Sequence, residues 1–161
     1  MTVRELLEKI RNDPECEVLP PAGIPECAEN CRLPDDIREF YGLCGGVVLF
    51  PSSEYPFEIA ALGEFQLANP VIVGELCPED ISSQWYIVAS NLEEDYLTVD
   101  LSHERNGRCY DSFWDRHGVA GECPVIAKSF TELLSRLYEN RGGCLYWLED
   151  DFASLGDAYD E

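Results

Sequence analysis

The stretch from residue 85 to residue 114 constrains the fold most strongly, because three runs of strand-forming residues follow one another with tight turns between them. The runs cover residues 85–90, 96–101 and 108–114. The first turn contains residues 91–94. The second contains residues 105–107, in which Asn106-Gly107 is a strong hairpin signal. The sequence therefore predicts three consecutive antiparallel strands.

The middle run also shows which of its side chains share a face. Apolar and polar side chains alternate along it: Leu97, Val99 and Leu101 against Tyr96, Thr98 and Asp100. Successive side chains of a strand point to opposite faces of its sheet. We therefore expect one face of this strand to be wetter than the other.

Two capping boxes, each a Ser or Thr followed three residues later by Glu, mark the starts of helices: Thr2 with Glu5, and Ser129 with Glu132. Apolar residues at helical spacing follow each box. They predict one helix over residues 2–12, closed by Pro14, and another that ends at the glycine pair 142–143.

Residues 33–41 predict a further helix. Pro34 suits its first turn, where the missing N–H costs nothing, and Asp35 and Asp36 favour the positive end of the helix dipole. The pair Gly45-Gly46 provides the stop. Helices set apart from a run of antiparallel strands indicate the α+β class.

The remaining segments carry weaker signals. Residues 47–50 and 57–62 predict short strands, and four prolines indicate a surface connection over residues 13–32. Residues 64–74 stay ambiguous, because Pro70 interrupts a helix. The acidic C-terminal segment, residues 145–161, contains apolar residues that favour a docked helix over a free tail. A length of 161 residues fits one domain, residues 1–161.

The charge of the chain limits its partners. Thirty-two Asp and Glu residues against 11 Lys and Arg residues give a net charge of −21. Such a chain repels nucleic acid and anionic membranes, so we expect neither as a partner. A basic protein is the natural complement, although the acidity alone also has the simpler role of keeping the chain soluble. No signal peptide and no apolar run of membrane-spanning length is visible, so we expect a cytoplasmic protein.

Metal binding has one candidate signal. Cys27 and Cys31 have the spacing of half a zinc site, but no second pair is near in sequence, and Cys16 and Cys44 are the candidates to complete a set in space. We expect no metal, two ordinary cysteines and no cofactor.

Nucleophilic catalysis has little support. His103 and His117 are the only histidines, and both fall in predicted turns. Asp115 is placed to orient His117, with Cys109 or Ser112 as nucleophile, but surface histidines are the ordinary explanation. We therefore predict no catalytic residues, and keep a thiol-dependent or metal-binding enzyme as the alternative of another class.

Several motifs occur together in the order typical of one known family. They cover residues 33–41 followed by the glycine pair 45–46, residues 86–91, residues 96–101, residues 108–115 and residues 126–134. Together they resemble the Smi–Knr branch of the SUKH superfamily, most strongly over residues 30–140. Residues 51–74 and the acidic C-terminus lie outside the pattern.

The resemblance implies a strongly curved antiparallel sheet flanked by helices, with no catalytic residues. It assigns core or turn positions to Phe40, Gly45, Trp114 and Phe130. Bacterial members resemble immunity proteins that neutralise toxins such as nucleases, and fungal members resemble regulatory scaffolds of cell-wall synthesis. We therefore expect an immunity protein that binds a basic toxin domain, as a monomer or weak homodimer. A scaffolding module is the alternative.

Two acidic segments and two aromatic residues are the candidate partner contacts. The acidic residues are Glu93, Glu94 and Asp95 in one turn, and Glu149, Asp150 and Asp151 near the end. Tyr146 and Trp147 are candidate aromatic anchors, since aromatic residues dominate binding hot spots. Core packing of the last segment is the alternative role for these two rings.

Overall fold

Seven strands form one antiparallel sheet, in which each strand pairs with its neighbours in the chain. The computed structural model describes residues 1–160, and Glu161 lies outside the described residues. The strands are β1 (Cys16–Leu19), β2 (Gly46–Leu49), β3 (Phe57–Ile59), β4 (Trp85–Ser90), β5 (Tyr96–Asp100), β6 (Cys109–Ser112) and β7 (Val125–Ala127). The three strands predicted in the middle of the chain are thus confirmed as β4, β5 and β6, and β6 ends two residues early.

The sheet is open and bent. Strands β1 and β7 occupy its two edges, and among the described residues they do not pair with each other. The pairing of β4 with β5 shifts register between Ile87 and Ala89, and that of β6 with β7 shifts between Cys109 and Tyr110. Such irregularities bend a strand and increase its twist. The predicted α+β class with a curved antiparallel sheet is confirmed.

The four helices are α1 (Val3–Arg11), α2 (Asp35–Leu43), α3 (Ala68–Ile72) and α4 (Phe130–Asn140). Both capping boxes are confirmed: the Glu5 amide donates to Thr2 Oγ1 at 3.2 Å, and the Glu132 amide donates to Ser129 Oγ at 3.1 Å. Pro34 lies at the N-cap of α2, one residue before the predicted position. Among residues 1–160, each helix is too short or too polar to span a membrane.

The main core lies where α1, α2 and α4 pack against one face of the sheet. Phe40 and Phe130 are fully buried there, with ring centroids 4.9 Å apart in an edge-to-face arrangement. Tyr41 makes a second edge-to-face contact with Phe40. The core positions implied for Phe40 and Phe130 are confirmed.

The opposite face of the sheet is also covered, which corrects the expected wet face. Trp85, Ile87 and Tyr110 form a second core there, under α3 and the C-terminal segment. Thr98 and Asp100 of β5 are buried, and both have hydrogen-bond partners. The Thr98 and Ser112 hydroxyls lie 2.8 Å apart, and the Tyr110 hydroxyl donates to Asp100 at 2.6 Å. Hydrogen bonding within the sheet thus removes the cost of covering these polar groups.

Two edge strands were missed from the sequence. Strand β1 lies inside residues 13–32, which we predicted to be a surface connection, and Pro14 and Pro20 flank it. Proline is tolerated at the ends of edge strands, so its presence did not exclude one. Strand β7 has only three residues, all buried, and therefore shows no alternation. The ambiguous residues 64–74 contain the short helix α3.

The C-terminal segment docks on the second core, but the predicted helix is wrong. A 3-10 turn covers Tyr146–Leu148, and residues 149–160 contain no helix. The Asp157 carboxylate accepts hydrogen bonds from the Gly121 and Cys123 amides at 3.0 and 2.8 Å. Ala158 is fully buried beside Cys123. Backbone and carboxylate hydrogen bonds hold this segment against the domain, so it docks without forming a helix.

His117 is buried at the edge of the second core, although we expected a surface position. Its Nε2 lies 2.6 Å from Asn69 Oδ1, and its ring meets Trp85 edge to face. Nδ1 has no hydrogen-bond partner among the described residues. Burial lowers the pKa of His117 to about 4, and the charge of Asp80 offsets only part of this effect.

We expect His117 to make the protein less stable in mild acid. The unfolded chain accepts a proton near the ordinary pKa of 6.5, whereas the folded state keeps His117 neutral down to about pH 4. Stability is therefore full above pH 6.5 and falls by about 3 kcal/mol as the pH drops through this window. Urea unfolding at a series of pH values measures the slope. His117→Gln should flatten it, whereas His103→Gln at the exposed histidine should not. Equal slopes in both variants would refute this role.

Candidate functional site

The tip of the β4–β5 hairpin and the turn after β6 meet at one end of the sheet. Asp95 joins them, because its Oδ1 accepts a hydrogen bond from the Trp114 amide at 3.0 Å. Asn91 Oδ1 accepts hydrogen bonds from the Glu93 and Asp95 amides at 2.8 and 3.1 Å, which fixes the tip. Glu93 and Glu94 are exposed, and Asp95 is half-buried. The first predicted acidic segment is thus a defined surface feature.

Trp114 projects from the turn after β6. Its exposed fraction is 77%, the highest among the large apolar side chains of residues 1–160. The Arg116 and His117 amides both donate to the Phe113 carbonyl, and these hydrogen bonds close the turn that contains Trp114. The turn position implied for Trp114 is confirmed, and its ring lies outside the core.

Asp111 of strand β6 anchors this turn through hydrogen bonds. Its buried carboxylate accepts hydrogen bonds from the Arg116 guanidinium at 2.6 Å, the Trp147 indole at 2.9 Å and the Phe113 amide at 3.1 Å. Burial raises the pKa of the Asp111 carboxyl, and these donors offset part of the increase. The Arg116 guanidinium also lies over the Phe113 ring, 5.4 Å from its centroid. Both sides of Trp114 are therefore anchored.

A groove runs beside this turn. It has a volume of about 400 Å³, and its apolar walls come from six residues: Tyr55, Pro56, Phe57, Leu92, Phe113 and Leu145. Leu92 is 47% exposed and Tyr55 is 36% exposed. Glu54 and Glu93 also line the groove, so its rim is acidic.

The two predicted aromatic anchors belong to the core. Tyr146 and Trp147 are 9% and 6% exposed, and the Tyr146 hydroxyl donates to the Ile126 carbonyl at 2.6 Å. This burial favours core packing, the alternative role, and leaves neither ring free to contact a partner. The buried carboxylate of Asp111 accepts from the Trp147 indole, which needs an acceptor for its N–H when it is buried.

The second acidic segment is exposed, and the Tyr146–Leu148 turn connects it to the groove. Glu149, Asp150 and Asp151 all face solvent. Leu145 lines the same groove as Glu93, so this turn leads from the groove to Glu149. The Asp95–Trp114 hydrogen bond thus joins the hairpin tip that carries Glu93 and Glu94 to the turn of Trp114, whereas the second acidic segment lies beyond the Tyr146–Leu148 turn.

The opposite end of β5 carries charges of both signs. A separate groove there is lined by Arg105, Arg108 and Lys128 and by as many acids, Glu104, Asp157 and Asp160. Strand β5 runs from the acidic hairpin tip to this end, so the unpaired acids and the basic residues are separated by its length. This end of mixed charge is a control surface for experiments on the acidic end.

The thiols and histidines do not assemble into a catalytic or metal site. All eight cysteines are free, and no group of three metal-ligating side chains comes together within residues 1–160. The Ser112 hydroxyl forms a hydrogen bond with the Thr98 hydroxyl, and the Cys109 thiol donates to the Gly107 and Ser129 carbonyls. Burial raises the pKa of Cys109 well above its ordinary value, which favours the unreactive thiol.

Sequence reasoning missed the exposure of Trp114. The one available signal was its position, because it begins the polar sequence Trp-Asp-Arg-His-Gly at the end of a predicted strand. A turn of that composition is usually on the surface, and an aromatic residue within it has no strand or helix face to direct it inward. The resemblance left core and turn open for this residue.

Comparison with known proteins gives two matches. A family model described as the SMI1/KNR4 family (SUKH-1) matches residues 26–136. A protein named "Immunity protein YokJ", from Bacillus subtilis (strain 168), is 54% identical over 160 residues, which cover 99% of this chain and 97% of the relative. No solved structure matches.

Proposed function

Because this chain belongs to the SMI1/KNR4 family (SUKH-1), we propose that it is an immunity protein, which binds a cognate toxin and neutralises it. The observation that carries the proposal is the 54% identity to an immunity protein over almost the full length of both chains. The aligned region covers 99% of this chain and 97% of the relative, so the two chains match over almost their full lengths. The action is binding, without a chemical step.

The proposed partner is a basic toxin domain, such as a nuclease. A nuclease must hold phosphates with Lys and Arg side chains, and a chain of net charge −21 is their electrostatic complement. Opposite charges also speed the encounter, which suits an antidote that must act before damage occurs. The proposed contacts are Glu93, Glu94 and Asp95, with Glu149, Asp150 and Asp151 as a second acidic segment. A toxin that attacks nucleic acid finds its substrate in the cytoplasm, so we place the protein there.

The free protein is proposed to be a monomer or at most a weak homodimer. Its negative surface opposes self-association through like-charge repulsion, and this repulsion is strongest at low salt. Sedimentation across a range of protein concentrations measures the state directly.

Coexpression tests the function. Candidate toxin domains encoded beside the gene are expressed alone and together with this chain. We expect one of them to stop growth alone and to be harmless in coexpression, and we expect a one-to-one complex with a catalytically inactive form of that toxin. Growth arrest in every pairing, with no complex at low salt, would refute the proposal. Capture of cell-wall or signalling proteins instead would support the scaffolding alternative.

Salt should weaken the complex if charge complementarity contributes to it. Raising the ionic strength shortens the screening length, so we expect Kd for the inactive toxin to rise about tenfold or more between 50 and 300 mM NaCl. Titration calorimetry at several salt concentrations measures this slope. A Kd independent of salt would show that the acidic surface does not contact the toxin.

A further inference from the structure

We infer that the toxin docks on the surface formed by Trp114, Leu92, Glu93 and Glu94, and that its contact there is a lysine or arginine side chain from its phosphate-binding face. We call this surface the Trp114 surface. The inference rests on the proposed function and specifies where and by what chemistry the toxin is bound. Four observations carry it: exposure, rigidity, the adjoining groove and the unpaired charges.

Within residues 1–160, no element of the domain covers the Trp114 ring. An indole that is 77% exposed leaves most of its apolar area in water, whereas Trp85 and Trp147 are buried. Burying it in an interface would recover that area, and tryptophan is among the residues most enriched in binding hot spots. Trp114 therefore gains more from a partner than any other exposed apolar side chain described here.

The surface is rigid before binding. The Trp114 amide is bonded to Asp95, and the neighbouring Phe113 amide and Arg116 guanidinium are both bonded to Asp111. A partner that binds a pre-ordered turn loses less conformational freedom than one that must order it. The anchoring of the turn on two carboxylates is thus suited to tight binding.

The adjoining groove provides the rest of an interface. Tyr55, Leu92 and Phe113 form apolar walls, and Glu54 and Glu93 lie at its edge. Hot-spot residues typically lie beside such pockets, with a polar rim that excludes water. A side chain with an apolar stem and a charged end fits a groove of this composition, and lysine and arginine have that form.

The carboxylates of this surface that form no ion pair indicate which kind of toxin side chain binds there. The four ion pairs within residues 1–160 use Asp111, Glu132, Asp13 and Glu15, and none uses Glu93, Glu94, Asp95 or Asp115. Arg116, the cation nearest in sequence to Trp114, is already paired with Asp111. The hairpin tip that carries these carboxylates is bonded to the Trp114 turn, so a cation bound here is attracted by their charge and by the quadrupole of the exposed indole ring. A nuclease has such cations where its substrate phosphates lie, so binding here would displace the substrate.

Trp114→Ala tests the inference with the full-length protein and the catalytically inactive toxin. We expect Kd to rise at least about thirtyfold, as for a hot-spot residue, with an unchanged thermal unfolding midpoint. Leu76→Ala removes another exposed apolar side chain (59% exposed), and Arg108→Ala changes the opposite end. Both should bind within about threefold of wild type, the range of a residue outside the interface. A Trp114→Ala variant that also binds within that range would overturn the inference.

A second measurement tests the occupant. We expect a short DNA duplex and this protein to compete for the inactive toxin, and Glu93→Gln with Glu94→Gln to lower the salt dependence of Kd. A ternary complex of toxin, duplex and this protein would overturn the assignment of a phosphate-binding cation. Loss of self-association in Trp114→Ala with unchanged toxin binding would also overturn it. The proposed function itself fails separately, when the wild-type protein binds and neutralises no toxin.

Discussion

Asp111→Ala is expected to lower the free energy of unfolding by about 3 kcal/mol, because it breaks an ion pair with the half-buried Arg116 and removes the acceptor of the buried Trp147 indole. The carboxylate is inaccessible to solvent and accepts from Arg116, Trp147 and Phe113. Without it, the Trp147 indole N–H is left in the core with no acceptor. Urea unfolding at neutral pH, followed by circular dichroism, measures the loss.

Asp115→Ala is the matched control, four residues away in the turn that follows β6. Asp115 is exposed and takes part in none of the ion pairs described above. A surface substitution of this kind usually changes stability by less than about 0.5 kcal/mol. If Asp111→Ala and Asp115→Ala had similar stability, the carboxylate of Asp111 would not be the anchor of this turn.

Gly45→Ala is expected to cost about 3 kcal/mol or more, because the added methyl group has no room. A Cβ at this position would lie 2.2 Å from the Pro20 carbonyl oxygen, which is backbone and cannot rotate away. The Gly45 amide also donates to the Leu19 carbonyl at 2.9 Å, so the end of β1 must move as a whole. The free energy of unfolding from urea titration measures the cost.

Gly42→Ala is the control for the same chemical change. Gly42 lies in α2, and a Cβ there meets no atom within 4 Å. Alanine at an unhindered helix position is favoured over glycine, so this variant should gain about 0.5–1 kcal/mol. Opposite signs for two Gly→Ala changes three residues apart would demonstrate the close approach at Gly45. Equal signs would contradict it.

The Gly45 prediction also explains what the sequence indicated about the glycine pair and what it did not. We interpreted the pair as a helix stop that tolerates positive φ, and Gly46 does have φ of +138°. The restriction at Gly45 is different, since it comes from the chain at Pro20, 25 positions earlier. No local pattern around residue 45 contains that information.

Features that depend on a few neighbouring residues were determined by the sequence itself. The two helix caps join residues three positions apart, and the Asn-Gly turn between β5 and β6 requires only that Gly107 adopt positive φ, which it does. The alternation along β5 likewise placed Leu97 and Val99 on one face of the sheet, although it did not show that the other face is covered as well. The net charge follows from composition alone, and with it the expectation of a basic partner.

Only the tertiary structure decided which side chains are buried and which are free to bind. Trp147 faces inward because its acceptor is Asp111, 36 positions away, and His117 is buried against Asn69, 48 positions away. Trp114 stays outside because its turn is held by Asp95 and Asp111 and no element covers it. The physical reason is that burial depends on packing between segments distant in sequence, whereas helix caps, turns and alternation depend on the local backbone.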